Sequence, residues 1–270
     1  MNDFAALVRL IQAIEPWRAH LIFVGGWAHR LYRFHPMANT PTYQPILTRD
    51  TDLAFANEAP LEGDIKSALA QAGFIEEFSG SHQPPVTRYT LGDDDAGFYA
   101  EFLTPLQGSG IKRSGAPDAT VEKAGITAQK LRHLDILLVE PWQITVGPDQ
   151  GFSLPQPTDL QVPNPTSFVV QKLLIQEFRS PAKRAQDVLY IHDAIELLGE
   201  ALPALNALWE DAVRPTLPSK TARRVVQLAR ESFSSVTDTL RIAARIPQDR
   251  NLSPERMQAA CQLGLEQILS

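Results

Sequence analysis

Thr48-Arg49-Asp50-Thr51-Asp52-Leu53-Ala54-Phe55 sets two carboxylates two residues apart at the mouth of a short apolar run. In an extended chain residues i and i+2 share a face, so Asp50 and Asp52 point the same way at close range. Two like charges so near each other are costly unless a cation neutralises them, and a pair of hard oxygen donors suits Mg²⁺. A solvated turn can also read Asp-x-Asp, and the motif alone favours that reading.

Three features of the flanking chain shift the balance towards a cation site. Leu53, Ala54 and Phe55 follow at once, so the acids lead into a buried strand and not an open loop. Upstream, His20-Leu21-Ile22-Phe23-Val24 is another apolar run. It ends at Gly25-Gly26, after which residues 27–34 take up a helical pattern. Glycine lets a backbone approach a ligand closely, and the N–H groups that open a helix attract phosphate. Downstream, Glu101 stands among Phe98, Tyr99, Phe102 and Leu103, a setting in which a carboxylate is expensive to bury without a partner. A metal shared with Asp50 and Asp52 would be such a partner.

Further out, residues 3–15 carry apolar side chains at helical spacing up to Pro16. The segment 35–45 has three prolines and no apolar period, so it is a loop, and 61–72 forms an amphipathic helix ending at Gly73. Strands are predicted at 87–91 and 98–103, joined by Gly92-Asp93-Asp94-Asp95 as a hairpin turn, then a flexible loop over 107–118. Strands are also expected at 142–146 and 152–154. From Asn164-Pro165, an N-cap followed by a first-turn proline, the pattern becomes helical: 165–178, 182–198, 201–213, 219–233, 235–245 and 254–269.

The order strand, Gly-Gly, helix, Asp-x-Asp strand and then one more acid resembles the DNA polymerase β-like nucleotidyltransferase superfamily. The stretches Val24-Gly25-Gly26-Trp27-Ala28, Thr48-Arg49-Asp50-Thr51-Asp52-Leu53 and Glu101-Phe102-Leu103-Thr104-Pro105-Leu106 look like a bacterial nucleotidyltransferase branch. So do the stretches beginning at Ala128 and Val170. That branch is related to the nucleotidyltransferase toxins of abortive-infection systems. The resemblance covers about residues 20–195. It differs from the usual pattern in two ways: 23 residues separate Gly26 from Asp50, and the third acid is glutamate where aspartate is more usual.

The resemblance implies an α+β fold with a mixed-sheet core and flanking helices, and the change of pattern near 160 divides the chain into that core over 1–160 and an all-helical domain over 161–270. The resemblance also implies a metal-dependent enzyme that transfers NMP from an NTP to a hydroxyl of tRNA, protein or a small molecule. Asp50, Asp52 and Glu101 would hold Mg²⁺ or Mn²⁺. Gly25, Gly26 and Arg49 would meet the nucleotide, and Lys172 and Asp187 would complete the site from the helical half. An antitoxin partner is a further implication. For Lys172 a snorkelling stem is the competing reading, and for Asp187 pairing with Lys183 or Arg184. The rival class is a non-catalytic nucleotide- or partner-binding module on the same fold.

Composition agrees with a cytoplasmic globular protein. The 270 residues are 44% apolar and 21% charged, no run of about 18 apolar residues appears, and Met1-Asn2-Asp3 lacks the start of a signal peptide. Cys261 is the single cysteine, read as a core residue. Net charge is −6. Residues 1–160 hold 12 Lys+Arg against 19 Asp+Glu, net −7, and residues 161–270 hold 13 against 12, net +1, so the chain as a whole is no basic nucleic-acid binder. One basic run, Lys220, Arg223, Arg224 and Arg230, reads as a solvated helix face. No zinc-type Cys/His spacing, P-loop or Gly-x-Ser-x-Gly motif occurs.

Overall fold

The computed structural model describes residues 3–56, 61–79, 84–91 and 97–270. The chain divides into two compact units: Met1–Ala28 with Leu47–Pro163, and His29–Ile46 with Asn164–Ser270.

The first unit is built on a mixed sheet of nine strands among the described residues. Helix α1 (Asp3–Ala13) leads into β1 (Leu21–Val24), and α2 (Gly25–Leu31) starts directly on the two glycines. There follow β2 (Asp50–Phe55), α3 (Ile65–Gln71), β3 (Phe74–Ser79), β4 (Val86–Leu91), β5 (Tyr99–Pro105), β6 (Thr120–Lys123), β7 (Ile126–Leu131), β8 (Trp142–Val146) and β9 (Thr158–Val162). The strand order is β3-β4-β5-β2-β1-β9-β8, with β7 on β5 and β6 on β7. β1 and β2 run antiparallel, whereas β2 and β5 run parallel. Along one edge β5 pairs with β4 as far as Glu101 and with β7 from Leu103 onward.

The two faces of the central strands differ. One carries Thr51, Leu53, Phe55, Tyr89, Ala100 and Phe102, all buried, with Phe102 in ring contact with Phe55 and Tyr89. Each such large apolar side chain contributes about 1.5–3 kcal/mol by leaving water, which is what allows polar groups on the other face. That second face changes character along its length. At one end Ile22, Val24, Ala54 and Leu103 pack under Leu134 and Leu137 of a short 3₁₀ turn. At the other end stand the acids.

Several expectations are corrected here. Residues 152–154 form no strand; Phe152 turns inward against Phe4, and the strand pairing with β8 is β9. β3, β6 and β7 lack clean alternation and were not anticipated. The 107–118 loop is irregular but tied down: Ile111 and Pro117 form a bridge, and Arg132 donates to the carbonyls of Gly108 and Ser109. β4 and β5 do pair antiparallel, while the expected Gly92–Asp95 turn lies outside the described residues.

The second unit is helical: α4 (Pro165–Ile175), α5 (Pro181–Leu197), α6 (Leu202–Leu208), the single turn α7 (Arg214–Thr216), α8 (Ser219–Phe233), α9 (Asp238–Ala243) and α10 (Pro254–Ile268). Asn164, Ser180, Thr237 and Ser253 cap their helices by accepting a backbone N–H three residues on. Every residue of α4 is buried, so it is the core helix of this unit. A π-helical turn, Trp209–Val213, precedes Arg214-Pro215; the proline has no N–H to give, and the widened turn absorbs the missing bond. On α8, Lys220, Arg223 and Arg230 are exposed, and Arg224 pairs with Glu177 and Glu231. Cys261 is a buried core thiol whose pKa burial pushes up.

Candidate active site

Asp50 and Asp52 are both half-buried on β2, and Glu101 is the register partner of Asp52 on the parallel neighbour β5. Parallel partners project to the same side, so the three carboxylates share one face at the end left clear by the apolar cluster. Tyr99, the partner of Asp50, belongs to the same face. Its phenol is pushed up to about 12, by burial first and then by the Asp50 and Glu101 charges, so it remains protonated and is no general base.

The glycines adjoin these acids despite the 23 intervening residues, because β1 pairs antiparallel with β2 and sets Val24 opposite Asp52. A Cβ on Gly25 would lie 2.5 Å from Asp52 Oδ2, and one on Gly26 would lie 2.8 Å from Thr48 Oγ1. Thr48, itself buried, donates its hydroxyl to Asp50 Oδ1. Glycine at 25 and 26 is thus what leaves room for one acid and for the residue that orients the other. Arg49 is exposed. Its guanidinium lies near Gly97, and its carbonyl accepts the Tyr99 N–H at 3.1 Å.

Glu101 has a partner that sequence reasoning missed. Arg88 on β4 donates Nε to Glu101 Oε1 at 2.7 Å, and its guanidinium sits 4.8 Å from the Tyr99 ring centroid. The signal was available in principle: an arginine in a strand antiparallel to that of Glu101. The register that pairs them is not visible in a single strand's pattern. Three carboxylates gathered on one face offer hard oxygen donors, a set that fits divalent Mg²⁺ or Mn²⁺.

Lys172 and Asp187 belong to the second unit and meet each other. Lys172 Nζ lies 2.8 Å from Asp187 Oδ1, with side chains only 6% and 4% exposed. Arg179 Nε is 3.3 Å from the other Asp187 oxygen. This corrects the expectation that Asp187 pairs with Lys183 or Arg184, and Lys172 does not reach the surface as a snorkelling lysine would. The ammonium also faces the rings of Phe168 and Tyr190 at 5.3 and 5.4 Å. His29 packs 4.8 Å from Tyr190, fully buried, with no hydrogen bond at either ring nitrogen. Burial, with Lys172, Arg33 and Arg250 adding to it against the Asp193 charge, lowers its pKa to about 4.

A second cluster of possible ligands, His192, Asp193 and Glu196, lies on α5 with its donor atoms within 4.8 Å of one another. Arg250 meets it: Nη2 is 2.5 Å from Asp193 Oδ2, and His192 Nδ1 is 3.0 Å from Oδ1. Arg250 also stacks 3.5 Å over the Tyr43 ring, and the neighbouring Asp249 accepts the Gln44 N–H at 2.6 Å. Arg250 pairs with both Asp193 and Glu196, and it and Asp249 fasten the 39–44 loop within the second unit, so the cluster is read as an ion-pair network.

The chain is thus an α+β protein whose mixed sheet presents three carboxylates beside a Gly-Gly pair. A family model described as nucleotidyltransferase matches residues 2–214. The chain belongs to that nucleotidyltransferase family. No curated protein matches it. No helix among the described residues is long and apolar enough to cross a membrane.

Proposed function

We propose that the protein is a metal-dependent nucleotidyltransferase that moves NMP from an NTP to a hydroxyl acceptor. The observation that carries this reading is the common face of Asp50, Asp52 and Glu101. Bound there, Mg²⁺ or Mn²⁺ would neutralise the triphosphate and lower the pKa of the acceptor hydroxyl. Asp50, Asp52 and Glu101 would be its ligands, and Thr48 fixes Asp50 by its hydrogen bond. The bare backbone of Gly25 and Gly26 admits the phosphates, with Arg49 as their exposed cation. The acceptor oxygen gives up its proton to solvent and attacks the α-phosphorus, the bond to the bridging oxygen breaks, and pyrophosphate leaves. Lys172, held by Asp187, is proposed as the cation that receives the triphosphate charge. This rests on the resemblance and on its buried, pre-oriented ammonium.

The acceptor is a tRNA end, a protein hydroxyl or a small molecule, and a toxin-like role with an antitoxin partner is proposed on the resemblance alone. Pyrophosphate release measured with each NTP, with and without bulk tRNA, tests the reading. Release that needs Mg²⁺ or Mn²⁺ and stops on Asp52→Asn is the expected result. An NTP that raises the melting temperature equally in EDTA and in Mg²⁺ would overturn metal ligation by the carboxylates.

A further inference from the structure

Four charged residues stand in a row across neighbouring strands, Glu77 on β3, Arg88 on β4, Glu101 on β5 and Asp52 on β2, each the register partner of the next, so that Arg88 lies between two glutamates and Glu101 between a cation and a like charge. Adjacent strands lie about 4.8 Å apart. A glutamate, one methylene longer than aspartate, can therefore lean to either neighbour, and an arginine can do the same. Here Glu101 leans to Arg88, with its Oε1 2.7 Å from Arg88 Nε. The Arg88 side chain is 47% exposed, and the Tyr99 ring supports it from the same face, so moving it requires no repacking of the core. Glu77 is exposed and adds to the field that holds the Arg88 charge.

Building on the metal-site reading above, we propose that Arg88 is a positioning residue that serves as the counter-cation of the metal-free site. With no divalent ion bound, it draws Glu101 out of the carboxylate group and so relieves repulsion with Asp52. When an ion binds between the acids, Glu101 turns to it and Arg88 moves to Glu77. Arg88 thereby competes with the metal: it lowers metal affinity and stabilises the metal-free fold.

Titrating Mn²⁺ alone into the full chain by calorimetry tests this, with melting curves in EDTA alongside. Arg88→Gln is expected to bind Mn²⁺ roughly three- to tenfold more tightly than wild type, since one competing charge in a half-exposed site is removed. It should also melt at lower temperature in EDTA. Arg88→Lys, which keeps the charge, should bind within about twofold of wild type. Glu77→Gln, which removes the receiving partner, should bind more weakly. A merely structural Arg88–Glu101 pair would lower the melting temperature and leave Mn²⁺ affinity unchanged. An arginine that orients Glu101 as a ligand would give weaker binding in Arg88→Gln. Either result overturns the proposal while leaving the metal site standing, and Glu77→Gln at wild-type affinity overturns the move to Glu77. If folded wild type and folded Arg88→Gln both give no binding heat, the metal-site reading fails and this inference with it.

Discussion

Gly25 and Asp52 are in such close contact that a β-carbon on the glycine would stand 2.5 Å from Oδ2 of the aspartate. Gly25 also has φ +64°, a left-handed conformation that L side chains adopt only at a cost. Gly25→Ala therefore strains the backbone and displaces a candidate metal ligand together. The expected outcome is a loss on the order of 1–3 kcal/mol in urea unfolding and weaker Mn²⁺ binding. A Gly25→Ala protein that binds Mn²⁺ like wild type would remove this turn from the site.

How much of this was legible in the sequence varied with the range of the interaction. Period-2 spacing reads Asp50 and Asp52 onto one face, and Asn164-Pro165 marks the α4 start, because both signals are local. The nearness of Gly25 to Asp52 comes from β1–β2 pairing across a 25-residue connection, residues 25–49, which no local pattern encodes. Arg88 was missed for the same reason. Lys172 and Asp187 are fifteen residues apart on different helices, and nearer basic residues competed for Asp187 in any reading by spacing. β6 and β7 escaped because Lys123, Gln129 and Lys130 break their apolar alternation.

The Lys172–Asp187 pair separates structure from chemistry. Removing Lys172 leaves the buried Asp187 carboxylate with only the more exposed Arg179 beside it, so Lys172→Met alone should cost on the order of 3 kcal/mol. Lys172→Met with Asp187→Leu removes both charges and should recover most of that stability, as read by chemical denaturation. If Lys172 receives the triphosphate, the recovered double mutant still lacks transfer activity. Full activity in it would assign the pair to the fold alone.

His29 sets a pH dependence. Its folded pKa of about 4 lies below the unfolded value near 6.5, so the unfolded chain takes up a proton between these values and the folded chain does not. Its contribution is full above pH 6.5 and falls away as pH drops towards 4, by roughly 2–3 kcal/mol over that window. His29→Phe, of similar ring shape, should flatten the stability profile between pH 6.5 and 4.5 in urea melts. An unchanged slope would mean that His29 gains a proton partner in the folded state.

Asp52→Asn tests chemistry against simple folding. The swap is nearly isosteric, so β2 keeps its register with β1 and β5, but the shared face loses one of three negative charges. If the metal reading is right, transfer falls by several orders of magnitude, since lost electrostatic stabilisation at such a site costs on the order of 3–4 kcal/mol or more. In EDTA the same mutant should be as stable as wild type or more so, because it removes one of the like charges that Asp50, Asp52 and Glu101 bring to one face. An aspartate that serves only the fold behaves the other way: its loss leaves hydrogen bonds or ion pairs unmade and lowers stability. Unfolding curves in EDTA and pyrophosphate release on the same preparations supply both readings. A mutant destabilised in EDTA that still transfers at the wild-type rate would sink the catalytic assignment of Asp52, whereas loss of transfer with stability retained requires the carboxylate charge itself.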